Sequence, residues 1–375
     1  RPVRVAGAAR NGSYRSASTP GSASPWTSSM EAPPPVEMNV IRSARPNLLT
    51  AATLCLCVSL GSVAVPIGDT AAVIWNAMWG LELPQGISRT IILGVRLPRV
   101  LATALCGGAL ALCGAAMQGL LRNPLADGST LGVSAGASLG AVTALLLGIS
   151  FPGLPFAGTM VMAMLFAMGS LILILSLSYS ADRVMSTQTI ILMGVVFSMF
   201  ATSIISLLTA FSGEKLRSIT FWTMGSLSGA GYTETLVLVG ALAVFGGVLL
   251  SCADELNAFS LGEDAARHMG VAVGPVKLGV LVCVASLIGV CVSAGGSIGF
   301  VGLIVPHAAR LFTGASHRRL LPLTLFMGAI FLMLADLLAR TVVSPIELPI
   351  GVVTSLVGAV VFVVIFFRRR RLCWK

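Results

Sequence analysis

Apolar residues come in long blocks separated by short polar breaks, and the blocks recur from Leu48 to Phe367. An α-helix needs about 20 mainly apolar residues to cross the hydrocarbon core of a bilayer. On that pattern we read spanning helices at 48–65, 97–120, 130–149, 154–178, 189–211, 235–252, 274–292, 298–312, 321–340 and 350–367, about ten in all. The block at 298–312 is short and holds Pro306, which removes a backbone donor, so a kink or break is expected there. A short amphipathic piece is expected near 71–79. The fold class is an all-α polytopic membrane protein.

The stretch 96–140 organises the rest. Gly107, Ala111 and Ala115 recur every four positions in its first block, and Gly132, Gly136 and Gly140 in its second, so each presents a smooth helix face. Such faces let backbones approach closely, either to pack inside one subunit or to line a pathway or subunit interface. Between the blocks lies LLRNPLADGST, too polar for membrane core. The first block of the chain also fits a signal peptide, with Arg42 and Arg45 before it and small residues near Val63 and Ala64. A retained helix is preferred, because the count is then even and both basic ends share one side.

Composition supports the class. The chain is 56% hydrophobic and 10% charged, with a mean hydropathy of +0.94, more than a soluble globule can bury. A formal charge of +10 would suggest nucleic acid in a soluble protein. Here the basic residues gather at the ends and in short loops, so the charge reads as topology and no nucleic-acid partner is expected. Residues 1–45, rich in Ser, Pro, Gly and Arg, read as a disordered leader without assigned function. Residues 46–370 form the membrane domain and 371–375 a basic tail, and the run Arg368–Arg371 places both termini in the cytoplasm. The eight cysteines lie in or beside apolar blocks without a His/Cys cluster, so they read as small hydrophobes and no metal site is expected.

Little in the chain can carry chemistry. There is no phosphate-binding G-x-x-x-x-G-K-[ST] loop, paired-carboxylate site or nucleophile constellation, so a non-catalytic chain is expected. Ionisable residues are nearly absent from the blocks, Asp336 being the deepest expected. Ion-coupled carriers use such groups at mid-depth, so that rival, which predicts transport by this chain alone, is disfavoured and another energy source is needed. The segment LNAFSLGEDAARHMGV, 256–271, reads as two short helices broken at Leu261 and Gly262, with Glu263, Asp264, Arg267 and His268 exposed. It is either a solvated connector or a platform for a partner. Arg96 and Arg99 fall on the external side, against the charge rule.

Read together and in order, RLPR, GAAMQGLLRNPLADGSTLGVSAGASLG, FWTMGSLSG, LGEDAARHMGV, GSIGFVGLIVPHAARL and ELPIGVVTSLVGA resemble the permease subunit of the iron-siderophore, haem and vitamin B12 (FecCD-type) family of ATP-binding-cassette importers. The resemblance runs from about Arg89 to Phe367. It implies a type II importer permease with ten helices per subunit, working as a homodimer in the bacterial inner membrane. Two cytoplasmic ATPase subunits would hydrolyse ATP with Mg, a periplasmic binding protein would deliver cargo, and this chain would hold no cofactor itself. It further implies that Leu261, Gly262, Glu263, Asp264, Ala265, Arg267, Met269 and Gly270 couple to the ATPase. Asn123, Pro124 and Leu125, with Ser186, Thr187 and Gln188, would form the cytoplasmic gate. Arg96, Arg99 and Arg340 would meet carboxylates of the binding protein; membrane-interface anchoring is the competing reading for Arg340. The context of FWTMGSLSG is closest to haem permeases, then to ferric-siderophore ones. The Met160, Met164 and Met168 stripe reads as packing rather than haem ligation.

Overall fold

The computed structural model describes residues 46–61, 65–81, 89–128, 131–151, 157–183 and 186–372. The leader expected over 1–45, the small residues at 63–64 and residues 373–375 of the tail lie outside them.

The helices are α1 (Pro46–Ser59), α2 (Ile67–Trp79), α3 (Leu97–Leu120, entered through a wide π turn at Thr90–Arg96), α4 (Val133–Leu147), α5 (Ala157–Ala181), α6 (Thr187–Ala210) and α7 (Leu216–Thr223). They continue with α8 (Tyr232–Ser251, containing a second π turn), α9 (Ala253–Leu261), α10 (Glu263–His268), α11 (Val273–Gly295), α12 (Val301–Thr313), α13 (His317–Thr341) and α14 (Ile350–Leu372). Six of these segments are long and apolar enough to span a bilayer, and α1, α4, α12 and the apolar part of α14 are shorter. Their sum equals the ten apolar segments expected, and the chain is a multi-pass membrane protein. The small helix α7 is not among the expected segments: Leu216, Ile219 and Trp222 do recur at helical spacing, but eight residues are too few to stand out as an apolar block.

A central layer of α3, α4, α5, α11, α12 and α13 carries the main apolar core. A second cluster joins α1 and α2 to the beginning of α3 and the far end of α13 through Cys57, Val58, Val73, Ile92, Val100 and Met333. Outside this core, apolar side chains such as Leu165, Leu192, Phe200 and Leu236 point away from the protein. Water would penalise such a surface and hydrocarbon does not. Among the described residues the cysteines are free thiols, mostly buried, as expected of small hydrophobes. Met164 and Met168 pack against the core, and the Ser286 hydroxyl donates to the Met168 sulfur.

The glycine faces serve packing within the subunit. A methyl carbon on Gly107 would lie 2.3 Å from the Gly328 carbonyl of α13, and one on Gly114 only 2.0 Å from the Gly302 carbonyl of α12. Gly136 and Gly140 meet α5 equally closely, whereas Gly132 stands before α4 in the left-handed region. At Gly114 backbone meets backbone, so no rotamer change can make room. We expect Gly114→Val to force α3 and α12 apart, at a cost of about 1–3 kcal/mol or more. Loss of the folded, monodisperse species in detergent, with Gly94→Val on an open position as control, measures it.

The start of α12 departs from expectation. Pro306 lies inside a continuous helix, and the break falls before it, where Phe300 adopts a left-handed conformation. At about 1.5 Å per residue, α4 and α12 reach only about 20 Å. The described parts of the segments leading into them, 121–128 and 296–300, therefore run into the bundle. A methyl carbon on Gly128 would lie 2.3 Å from Ile288 Cδ1, near the middle of α11, and one on Gly302 3.5 Å from Asp127 Cβ. Irregular backbone at this depth persists only where it is buried in protein or lines a cavity.

Candidate functional site

At one end of the bundle five charged residues meet. Arg96, closing the π turn, donates from Nη1 to the carbonyls of Val58 and Ser59 at 3.0 and 2.8 Å, where the C-terminus of α1 leaves acceptors open. Arg99, one turn on, donates from Nε and Nη2 to Asp336 Oδ1 at 3.1 and 2.8 Å. Its Nη1 donates to Glu347 Oε2 at 2.9 Å. Arg340 donates from Nη2 to the Cys57 carbonyl at 2.6 Å. Its Nε lies 3.1 Å from Asp336 Oδ2, close enough for charge attraction but not aligned as a hydrogen bond.

Asp336 is thus a hub between two guanidiniums, with its side chain only 1% exposed, while Glu347 at the rim is 38% exposed. Arg96, Arg99 and Arg340 are the residues expected to meet carboxylates of a binding protein, and here their carboxylate and carbonyl partners come from the chain itself. All three are buried and engaged within the chain, because an unpaired guanidinium at that depth would be costly. The group holds three cations against two anions.

At the opposite end lies the segment read as two short helices. Gly262, with φ +122, separates α9 from α10 in a conformation that side chains resist. The turn leaves Leu261 71% and Met269 54% exposed, with Asp264 and Arg267 exposed between them and 3.6 Å apart. Glu263 behaves differently from the expectation of an outward contact, since it accepts a 2.9 Å bond from Lys277 of α11, whose side chain is 9% exposed. Asp254 of α9 forms a two-pronged pair with Arg318 at 2.6 Å. That guanidinium holds the exposed Asp254 carboxyl below its ordinary value. Asn257 Oδ1 accepts from the His317 backbone at 2.8 Å.

The two segments expected to form a gate face different spaces. Ser186 caps α6, its hydroxyl accepting from the Thr189 backbone, and Ser186, Thr187 and Gln188 line a cavity of about 440 Å³ together with Arg122 and the 261–267 turn. Asn123 folds its Oδ1 onto the Leu125 backbone at 2.9 Å, and Pro124 is exposed. Leu125 opens onto a second space of about 550 Å³ with Asp127, Met224, Phe300, Val352 and Leu356. Asp127, read from sequence as part of a polar loop, is therefore placed at mid-height, where it also lines an enclosed cavity of about 60 Å³ beside Ser134 and Ser297. No sequence signal placed it there, because the apolar block read at 130–149 is long enough to span and only the observed α4, Val133–Leu147, is short.

The model of the FecCD transport family matches residues 49–368. The chain is 36% identical to the molybdate import system permease protein MolB of Haemophilus influenzae, over 86% of this chain and 94% of that one. It is also 36% identical to the hemin transport system permease protein HmuU of Yersinia pestis, over 87% and 97%. A solved structure described as an inward-facing conformation of a putative metal-chelate type ABC transporter superposes with a TM-score of 0.75 at 33% identity, covering 86% of this chain and 97% of that one.

Proposed function

The chain belongs to the FecCD transport family, whose members are the non-catalytic permease subunits of ABC importers, and from that premise we propose that it carries haem, or another iron chelate, across the bacterial inner membrane. Delivery comes from a periplasmic binding protein, and two copies of this chain enclose the path above two ATPase subunits. The arginine end faces the periplasm and the α9–α10 end, with both termini, the cytoplasm. Relatives of equal identity differ in the cargo that their names state, so cargo is argued from the site. The larger chamber is lined by apolar and hydroxyl side chains with one carboxylate and no imidazole or thiolate. Such a wall lets a bulky chelate pass without ligating its metal.

The observation that carries the ATP-driven reading is the α9–α10 turn. It presents apolar Leu261 and Met269 beside Asp264 and Arg267, on a scaffold tied down by Lys277 and Arg318. Apolar contact with charges at its rim suits a protein partner. Leu125 and the Ser186–Gln188 segment act as gate elements in alternating access. Docking at Arg96, Arg99 and Arg340 requires carboxylates of the binding protein to exchange with the internal ones, and Glu347, the half-exposed member, yields first.

Uptake into proteoliposomes containing this chain, its ATPase and its binding protein tests the proposal, with haem, a ferric siderophore and cobalamin as cargo. We expect ATP-dependent uptake of haem. Preference for cobalamin would overturn the cargo, and equal uptake without the ATPase would overturn the ATP-driven reading.

A further inference from the structure

The His317 imidazole occupies a slot between the coupling element and the helix that runs into the Leu125 loop. On one side Asn257 Oδ1, in α9, lies 3.0 Å from His317 Nδ1 and also accepts from the His317 backbone N–H at 2.8 Å. On the other side stands Gly119, where a methyl carbon would sit 2.4 Å from His317 Nε2. Only the missing side chain at Gly119 lets the ring approach α3. His317 is 2% exposed, and its Nε2 has no hydrogen-bond partner.

Gly119 is one residue from the end of α3, and the chain then turns through Leu121 and Arg122, the latter forced to φ +49, into Asn123, Pro124 and Leu125. Contacts thus run without a gap from α9 through Asn257 and His317 to the last turn of α3 and on to the Leu125 loop. Each contact is stiff. Asn257 has one oxygen serving two donors of the same residue, and the ring meets backbone on its far side. Packed contacts of this kind switch between discrete arrangements rather than deform smoothly. The nearby Asp254–Arg318 pair joins the same two helices but lies on the exposed surface, where it holds α9 to α13 without touching α3.

We propose that His317, held by Asn257 and seated against Gly119, is the positioning residue that converts movement of the α9–α10 coupling element into movement of the Leu125 gate loop. The proposal rests on the ATP-driven reading given above. It predicts a defect in coupling, with assembly and ATP turnover intact. Cargo moved per ATP hydrolysed reads that coupling directly.

The assembled complex, with its ATPase and binding protein in proteoliposomes, is assayed for cargo moved and ATP hydrolysed in parallel. Asn257→Ala and His317→Ala are each expected to lower cargo moved per ATP by about tenfold, within the range of typical coupling between sites, with ATP turnover within about twofold of the starting protein. Asn257→Asp, which keeps the acceptor oxygen, should retain the ratio. The double variant should be no worse than either single one, because the two residues act in series. If Asn257→Ala does not assemble, Asn257→Ser, whose shorter side chain falls away from the ring, reads the same ratio. Transport and ATP turnover falling together, or additive losses in the double variant, would each overturn the proposal. Uptake by the unaltered complex in the absence of the ATPase would instead overturn the reading beneath it.

Discussion

Replacing Asp336 by alanine is expected to destabilise the purified chain by about 3–5 kcal/mol, the usual cost of removing one partner from a buried ion pair. Asp336 is the shared anion of Arg99 and Arg340 and is almost wholly inaccessible. Its loss leaves two guanidiniums facing each other with Glu347 as the remaining carboxylate. Like charges in a medium that screens poorly repel, and neither arginine can swing out without giving up its other acceptor. Asp336→Asn keeps the shape and one acceptor, and should cost less. Joint replacement by apolar residues, Asp336→Leu with Arg340→Met, should recover part of the loss, because a buried pair replaced whole is often neutral. Denaturant unfolding in detergent measures all three. An unchanged midpoint for Asp336→Ala would show that water or lipid head groups already compensate the arginines.

Charging the apolar face of the coupling turn should do the reverse, abolishing function while sparing the fold. Leu261→Asp with Met269→Asp alters two side chains that are largely exposed, so stability should move by no more than about 0.5 kcal/mol. If both sit in the ATPase groove, each is an anchor worth about 2 kcal/mol or more. Together they should weaken ATPase association by a hundredfold or more and reduce ATP-dependent uptake to background. Glu263→Gln provides the contrast, since that carboxylate holds Lys277 inside the chain and its loss should appear in unfolding first. Retention of the ATPase by the double aspartate variant, measured by co-purification and surface binding, would move the docking face elsewhere.

The small-residue faces illustrate how far pattern reading reaches. Spacing placed Gly107 and Ala111 on one face of α3, and the structure finds that face against Gly328 of α13; the spacing could not name the partner. The break at Leu261 and Gly262 was visible because a glycine between two short amphipathic runs stops a helix. That Glu263 would turn inward was not, since Lys277 stands beyond the turn on another helix.

The sequence by itself determined the membrane class, the ten apolar segments and the family. Each rests on short-range information, namely the length of an apolar run, the flanking charge and the order of motifs along the chain. The tertiary structure alone decided which charges neutralise one another and how deep each lies. Arg99 meets Asp336 and Glu347 across 237 and 248 positions of sequence, and Asp127 reaches mid-height because α4 is too short to span. A buried ion must find its counterion wherever the fold brings one within about 4 Å, and no local pattern records that distance.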